Sequence, residues 1–227
     1  MHLLAIDTAA NLCAASVLDT EAGEERGRAV LDLGKGHAEQ LMGVIGSALA
    51  AAGLDFADLG AVAVATGPGS FTGIRVGVAA ARGLALALKI PAIGVTTLEA
   101  IAAETRERFP GRAVLAALDA GRGEIHAALY DEKGSALREP FVTDLSEAAA
   151  IATDKKPVLA GSAAAMIAAA AAPSPFDFGA SGATADIGVY ARIAAAKGPS
   201  AERPKPVYLR GPDAKPQAGF ALPRKGA

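Results

Sequence analysis

One cysteine, no tryptophan, three histidines and 4% aromatic residues leave this 227-residue sequence poor in the side chains that build staples and metal sites. Cys13 alone can close no internal disulfide and make no cysteine-based metal centre. His2, His37 and His126 are scattered, with no pair at helical ligand spacing, so no histidine-rich metal site assembles locally. Neither sign of charge is in excess. The 22 Lys+Arg and 24 Asp+Glu leave a formal net charge of −2, without the basic field that gripping nucleic acid or a membrane unaided requires. Long hydrophobic runs are missing too: the longest, Ala163 to Ala172, is mostly alanine and too short and weakly apolar for a bilayer span. Met1-His2-Leu3 leads directly into a predicted strand with no charged leader or cleavage site. A soluble, cytoplasmic protein is expected.

What is abundant is alanine, at 57 positions, and a plan that reads twice. Leu3 to Thr8, Cys13 to Leu18 and Gly27 to Leu31 are short apolar or alternating runs that predict an antiparallel meander. Leu41, Val44, Ile45, Ala48, Leu49 and Ala52 form one helical stripe ended by Gly53. A buried strand, Ala61 to Thr66, runs into the turn GPGSFTG (Gly67 to Gly73), and a helix follows to Lys89, stopped by Pro91. Ala92 to Val95 predicts a strand, and Thr96 with Glu99 a capping box for a helix through about Thr105. After Phe109-Pro110-Gly111 the pattern restarts with Ala113 to Asp119, Gly123 to Tyr130 and Ser135 to Val142, then a helix from Asp144, a strand Pro157 to Ala160 and alanine-rich helices. Without a gap, Ala5 to Asp19 lies over Ala117 to Asp131, which matches Asp7 to Asp119 and Asp19 to Asp131. The repeated element order around the same aspartate favours duplication over a chance match of two alanine-rich hairpins. The expected units are an N-terminal lobe over 1–105, a smaller, degenerate C-terminal lobe over 106–212, and a disordered, Gly/Pro/Ala-rich tail over 213–227.

Two meander-plus-helix halves with an aspartate closing each first strand resemble the actin, sugar-kinase and Hsp70 superfamily, a duplicated two-lobed α/β fold of mixed sheets flanked by helices. There ATP sits between the lobes, and the resemblance would give Asp7 a metal-bound water to hold. An aspartate capping a strand-end turn reads equally well. GPGSFTG can present backbone N–H groups to an anion, yet it fits neither GxGxxG nor GxxxxGK[ST]. Ala120-Gly121-Arg122 stands where a phosphate hairpin would want Gly-Gly and Thr, which weakens a kinase reading.

A narrower resemblance rests on LLAIDTA at the start, HAEQL at 37–41, ATGPGSFTGIRVGVAAARGLALAL at 65–88, IPAIGVTTLEAIA from Ile90, ALDAGRGEIHAALY from Ala117 and PVYLRGPDA from Pro206. Together they are similar to the TsaB (YeaZ) family, and they are spread from residue 3 to residue 214. His126 departs from the aromatic that the family often carries. The resemblance implies a non-catalytic partner of a TsaD-like subunit, which transfers threonylcarbamoyl to the adenosine beside a tRNA anticodon, together with a TsaE-like ATPase. It implies no cofactor, no catalytic residue and no metal ligand here: Thr97 and Ile101 stand at the places of a His-x-x-x-His pair in the catalytic relative. A homodimer is possible for the chain alone, tRNA would be met only through the complex, and no membrane is involved.

The helix after GPGSFTG also suggests a partner. Arg75, Arg82 and Lys89 fall within about 40° on a wheel, while Ile74, Val76, Val78, Leu84, Leu86 and Leu88 spread around the rest. One sheet covers one side of a helix, so either a second cover is needed or the helix is buried between the protein's own layers. Gly73, Gly77 and Ala81 make one side small enough for close helix approach. With the family resemblance, the helix pair 37–52 and 73–89 becomes the candidate interface, represented by His37, Gln40, Leu41, Val44, Arg75, Val76, Ala79, Ala80 and Gly83. The competing functions are an ATP-dependent phosphotransferase of the superfamily and a metallopeptidase. The incomplete second phosphate hairpin counts against the first and the missing ligands against the second.

Overall fold

Strands β1 (His2–Asp7), β2 (Leu12–Asp19) and β3 (Glu24–Asp32) form the expected meander, and β4 (Leu59–Ala65) and β5 (Ala92–Val95) extend it in parallel on the other side of β1. The sheet order is β3-β2-β1-β4-β5. This computed structural model describes residues 1–171, 173, 175–200 and 202–209, so the predicted tail over 213–227 lies outside the described residues. A second sheet repeats the arrangement with β6 (Val114–Asp119), β7 (Glu124–Tyr130), β8 (Ala136–Asp144) and β9 (Val158–Ala160), in the order β8-β7-β6-β9. β6, β7 and β8 each begin 112 residues after their counterparts, the same offset that aligns Asp7 with Asp119. Where the first sheet has β5, the second keeps a single parallel bridge, Leu159 to Phe178. This is a duplicated two-lobed α/β fold of mixed sheets flanked by helices, with the second lobe reduced.

β1 and β4 are almost wholly buried, and a strand buried on both faces needs cover from both sides. Helices α1 (His37–Ala52) and α2 (Phe71–Leu88) pack together over one face of the first sheet. The other face is covered by α6 (Ile187–Lys197), whose Tyr190, Ala191 and Ala194 belong to the same apolar core as Leu4 and Ile6. α3 (Thr97–Arg108) lies between α6 and the second sheet, while α4 (Leu145–Lys155) and α5 (Ala164–Ala170) pack against that sheet around a separate core. α3, from the first half, covers β6, β7 and β9, and α6, from the second half, covers β1, β2, β4 and β5, because each inner sheet face buries the helix that faces it across the middle layer.

α2 begins at Phe71, three residues before Ile74, because the Ser70 hydroxyl accepts a hydrogen bond from the Gly73 N–H and caps the first turn. Its small residues do not serve helix–helix packing as expected. A Cβ at Gly73 would overlap the Thr8 carbonyl oxygen, and one at Gly77 would press on the Thr8 hydroxyl, so the glycine side of α2 is the side laid against the end of β1. Gly83, on the same helix, faces open space. We expect Gly73→Ala to cost about 1–3 kcal/mol through overpacking and Gly83→Ala to be neutral or stabilising by up to about 1 kcal/mol through helix propensity, as read from chemical unfolding of the two variants.

Candidate interface and interlobe cleft

With the glycine side of α2 turned inward, its opposite side is left without cover. Only 28% of the residues of α2 are buried within the chain. Arg75, Ala79 and Gly83 are exposed and Leu86 is 73% exposed, while Val76 and Ala80 are half-buried against the core. By length and composition alone α2 could cross a membrane, but Gly73, Gly77 and Ala81 are buried against its own sheet and Arg75 and Arg82 stand on the outside. On α1, Gln40 is exposed, whereas His37, Leu41 and Val44 are buried. Leu41 and Val44 belong to the stripe that α1 turns toward β2 and β3. The outward residues of α1 include Met42, half exposed, and Gly43, whose Cβ position is open; neither was singled out from the sequence. Being outside the core stripe was the only signal that could have found them.

The second concave feature lies between the lobes. A cavity of about 1220 Å³ is bordered by Asn11 after β1, by Gly69 and Ser70 of the glycine turn, by Asp119 and His126 of the second lobe, and by Tyr208. At its edge the Arg75 guanidinium stacks on Phe71, 3.6 Å from the ring centre, and donates through Nε to the Tyr208 hydroxyl at 2.8 Å. Backbone atoms hold the turn in place: the Ser70 N–H donates to the Ala9 carbonyl at 2.7 Å and Val207 N–H to the Thr66 carbonyl at 2.8 Å.

Asp7 does not open on this cavity. It is 1% exposed. Its Oδ1 accepts from the Ala9 N–H at 2.8 Å, and its Oδ2 accepts from the Thr184 hydroxyl at 2.5 Å. Thr184 also shares a hydrogen bond with the buried Tyr190 hydroxyl. Burial pushes the Asp7 carboxyl above its usual range, with the Thr184 and Ala9 hydrogen bonds and the His37 charge opposing. Asp119 makes the same turn contact, accepting from the Gly121 N–H at 2.8 Å, yet it is exposed and lines the cavity. Among the described residues no three His, Cys, Asp or Glu side chains gather as metal ligands.

A family model described as TsaD, tRNA N6-adenosine threonylcarbamoyltransferase, matches residues 32–200. The tRNA threonylcarbamoyladenosine biosynthesis protein TsaB of Escherichia coli is 36% identical over 137 residues, 59% of this chain and 58% of that protein. That match therefore spans less than two thirds of the curated relative. An uncharacterised protein of Mycobacterium tuberculosis is 35% identical over 219 residues, 95% of each chain. The solved structure of YeaZ from Pseudomonas aeruginosa superposes with a TM-score of 0.75 at 26% identity, covering 92% of this chain and 99% of that one. The chain belongs to the TsaB (YeaZ) family. Thr97 and Ile101 are fully buried.

The pH behaviour of Asp7 follows from its burial. A carboxyl whose folded pKa is raised contributes its full stability below the unfolded value near 3.8 and loses it as pH rises toward the folded value. Asp7→Asn removes that loss and can keep both bonds, its oxygen accepting from Ala9 and its NH₂ donating to Thr184, which then donates to Tyr190. We expect Asp7→Asn to raise stability at neutral pH by at least about 1 kcal/mol and to flatten its decline above pH 4. Asp7→Ala should lower it, both being read from melting curves across pH.

Proposed function

We propose that this protein is a non-catalytic scaffold subunit that binds and activates a TsaD-like catalytic subunit in the formation of threonylcarbamoyladenosine next to the tRNA anticodon. The outward face of the α1–α2 pair is its docking surface. The observation that carries this reading is α2 itself: a long apolar helix on the outer layer, with Ala79 and Gly83 uncovered. Uncovered apolar residues of small size suit a second helix pair, because backbones can approach closely over alanine and glycine. Family membership supplies the kind of partner. A TsaE-like ATPase joins the assembly, tRNA is met through the assembled complex, and in the absence of the catalytic subunit the same face pairs two copies of this chain. The setting is the cytoplasm, where tRNA modification occurs.

A phosphotransferase of the superfamily is the second reading, favoured by the cavity between the lobes. Against it stands Asp7, whose two oxygens are committed to Ala9 and Thr184 away from that cavity. ATP turnover by the purified chain that Asp7→Asn abolishes would establish it in place of the scaffold.

The scaffold reading is tested on the exposed residues, where a charge cannot disturb the core. Ala79→Glu or Gly83→Glu should leave the chain folded by circular dichroism. Either should weaken association with the TsaD-like subunit a thousandfold or more, since an unpaired carboxylate at the buried contact costs several kcal/mol. Modification of tRNA by the reconstituted system should fall with it. Full binding by both variants would overturn the assignment of this face.

A further inference from the structure

Beyond the docking face, α2 carries a second surface of different chemistry. Its C-terminal half and the segment after α6 enclose a recess of about 330 Å³, with Arg82, Lys89 and Arg203 around it and Glu202 as its one acidic lining residue. The floor is aliphatic, from Ala85, Leu86 and Pro91. Many arginines elsewhere on the surface are matched: Arg28 by Glu25 and Asp186, Arg112 by Asp177, Arg138 by Glu147, Arg192 by Glu107. Arg82, Lys89 and Arg203 make no side-chain hydrogen bond, ion pair or ring contact among the described residues.

Three unmatched cations around one recess repel one another, a cost that a chain of net charge −2 has ample carboxylates to relieve. They are left free where an anion could collect them. Arg82 lies in the second half of α2, Lys89 caps the end of that helix in the left-handed conformation seven residues on, roughly 10 Å away along the axis, and Arg203 meets them from the C-terminal segment. A spaced row of cations fits a spaced row of phosphates, and a recess with an aliphatic floor admits a projecting nucleotide better than the flat face of an acidic helix. The uncovered small residues that suit a protein, Ala79 and Gly83, stand outside this recess. We propose that Arg82, Lys89 and Arg203 bind the phosphodiester backbone of an RNA strand. The proposal rests on the scaffold reading, which brings tRNA to the complex, and adds a place on this chain where the strand lies. Three cations hold RNA only weakly on their own, measurably at low salt; they add to contacts made by the partner.

The test uses the variant Arg82→Gln/Lys89→Gln/Arg203→Gln, assembled with the TsaD-like subunit and titrated with fluorescently labelled tRNA between about 50 and 200 mM salt. Loss of three phosphate contacts should lower the slope of log affinity against log salt by about two to three and weaken binding at least tenfold, with subunit association unchanged. An unchanged slope and affinity would overturn the proposal. So would weakened subunit association at an unchanged slope, which would assign the recess to an acidic protein surface. If the unmodified subunits do not associate, the scaffold reading falls separately. The same titration on the isolated chain at low salt then decides the recess by the presence or absence of the slope difference.

Discussion

The backbone of Thr8 and Ala9, just past the end of β1, sits where side chains at Gly69 and Gly73 would otherwise be, and the Thr8 hydroxyl sits where one at Gly77 would be. Ser70 N–H donates to the Ala9 carbonyl, the Thr8 hydroxyl donates to the Gly73 carbonyl at 2.7 Å, and Thr97 N–H donates to Gly67 at 2.8 Å. This close approach sets the depth and the rotation of α2. Because the glycine side can lie only against the end of β1, the residues opposite it are forced outward, and the uncovered face follows from that one contact. The same turn forms a wall of the interlobe cavity, so the uncovered face of α2 and the cavity share one edge.

The second lobe keeps the meander, with β6 and β7 paired one residue out of step with β1 and β2, but not this contact. Its glycine, Gly161, lies against Ala117 within β6 rather than against residues past the strand end, and a short helix follows in place of an 18-residue one. Loss of a fifth strand, reduced to the bridge at Phe178, leaves less apolar surface for a long helix to cover. A duplicated sheet has thus produced one lobe that presents a long outer helix and one that does not.

Patterns carried by neighbouring residues were legible in the sequence. The meander strands, the Thr96 cap that accepts from the Glu99 N–H, and the 112-residue offset all depend on spacing within one element or between two similar ones. What covers an apolar stripe was not legible. The α1 stripe containing Leu41 and Val44 was correctly read as a stripe, yet a wheel cannot say whether a sheet or a partner lies over it; the structure places β2 and β3 there. The exchange of α3 and α6 between lobes and the bond from Thr184 to Asp7, 177 residues apart, depend on contacts with no local signature. The recess with Arg203 was hidden for the same reason, although Arg82 and Lys89 were already aligned on the wheel.

The fate of the two matched aspartates shows how such a fold can set cleft chemistry aside. Asp7 and Asp119 close equivalent strands and each accepts a turn hydrogen bond from the N–H two residues on. They differ in what arrives from afar. Thr184, carried by the segment leading into α6, takes the second oxygen of Asp7, and Tyr190 one turn into α6 completes a buried chain of hydroxyls. A carboxylate so enclosed is disfavoured in its charged form and has no free oxygen for a ligand in the cavity. The same helix that supplies the seal also covers the inner face of the first sheet, so opening Asp7 would require moving a large part of the core. Packing that stabilises the first lobe therefore commits its strand-end aspartate to structure.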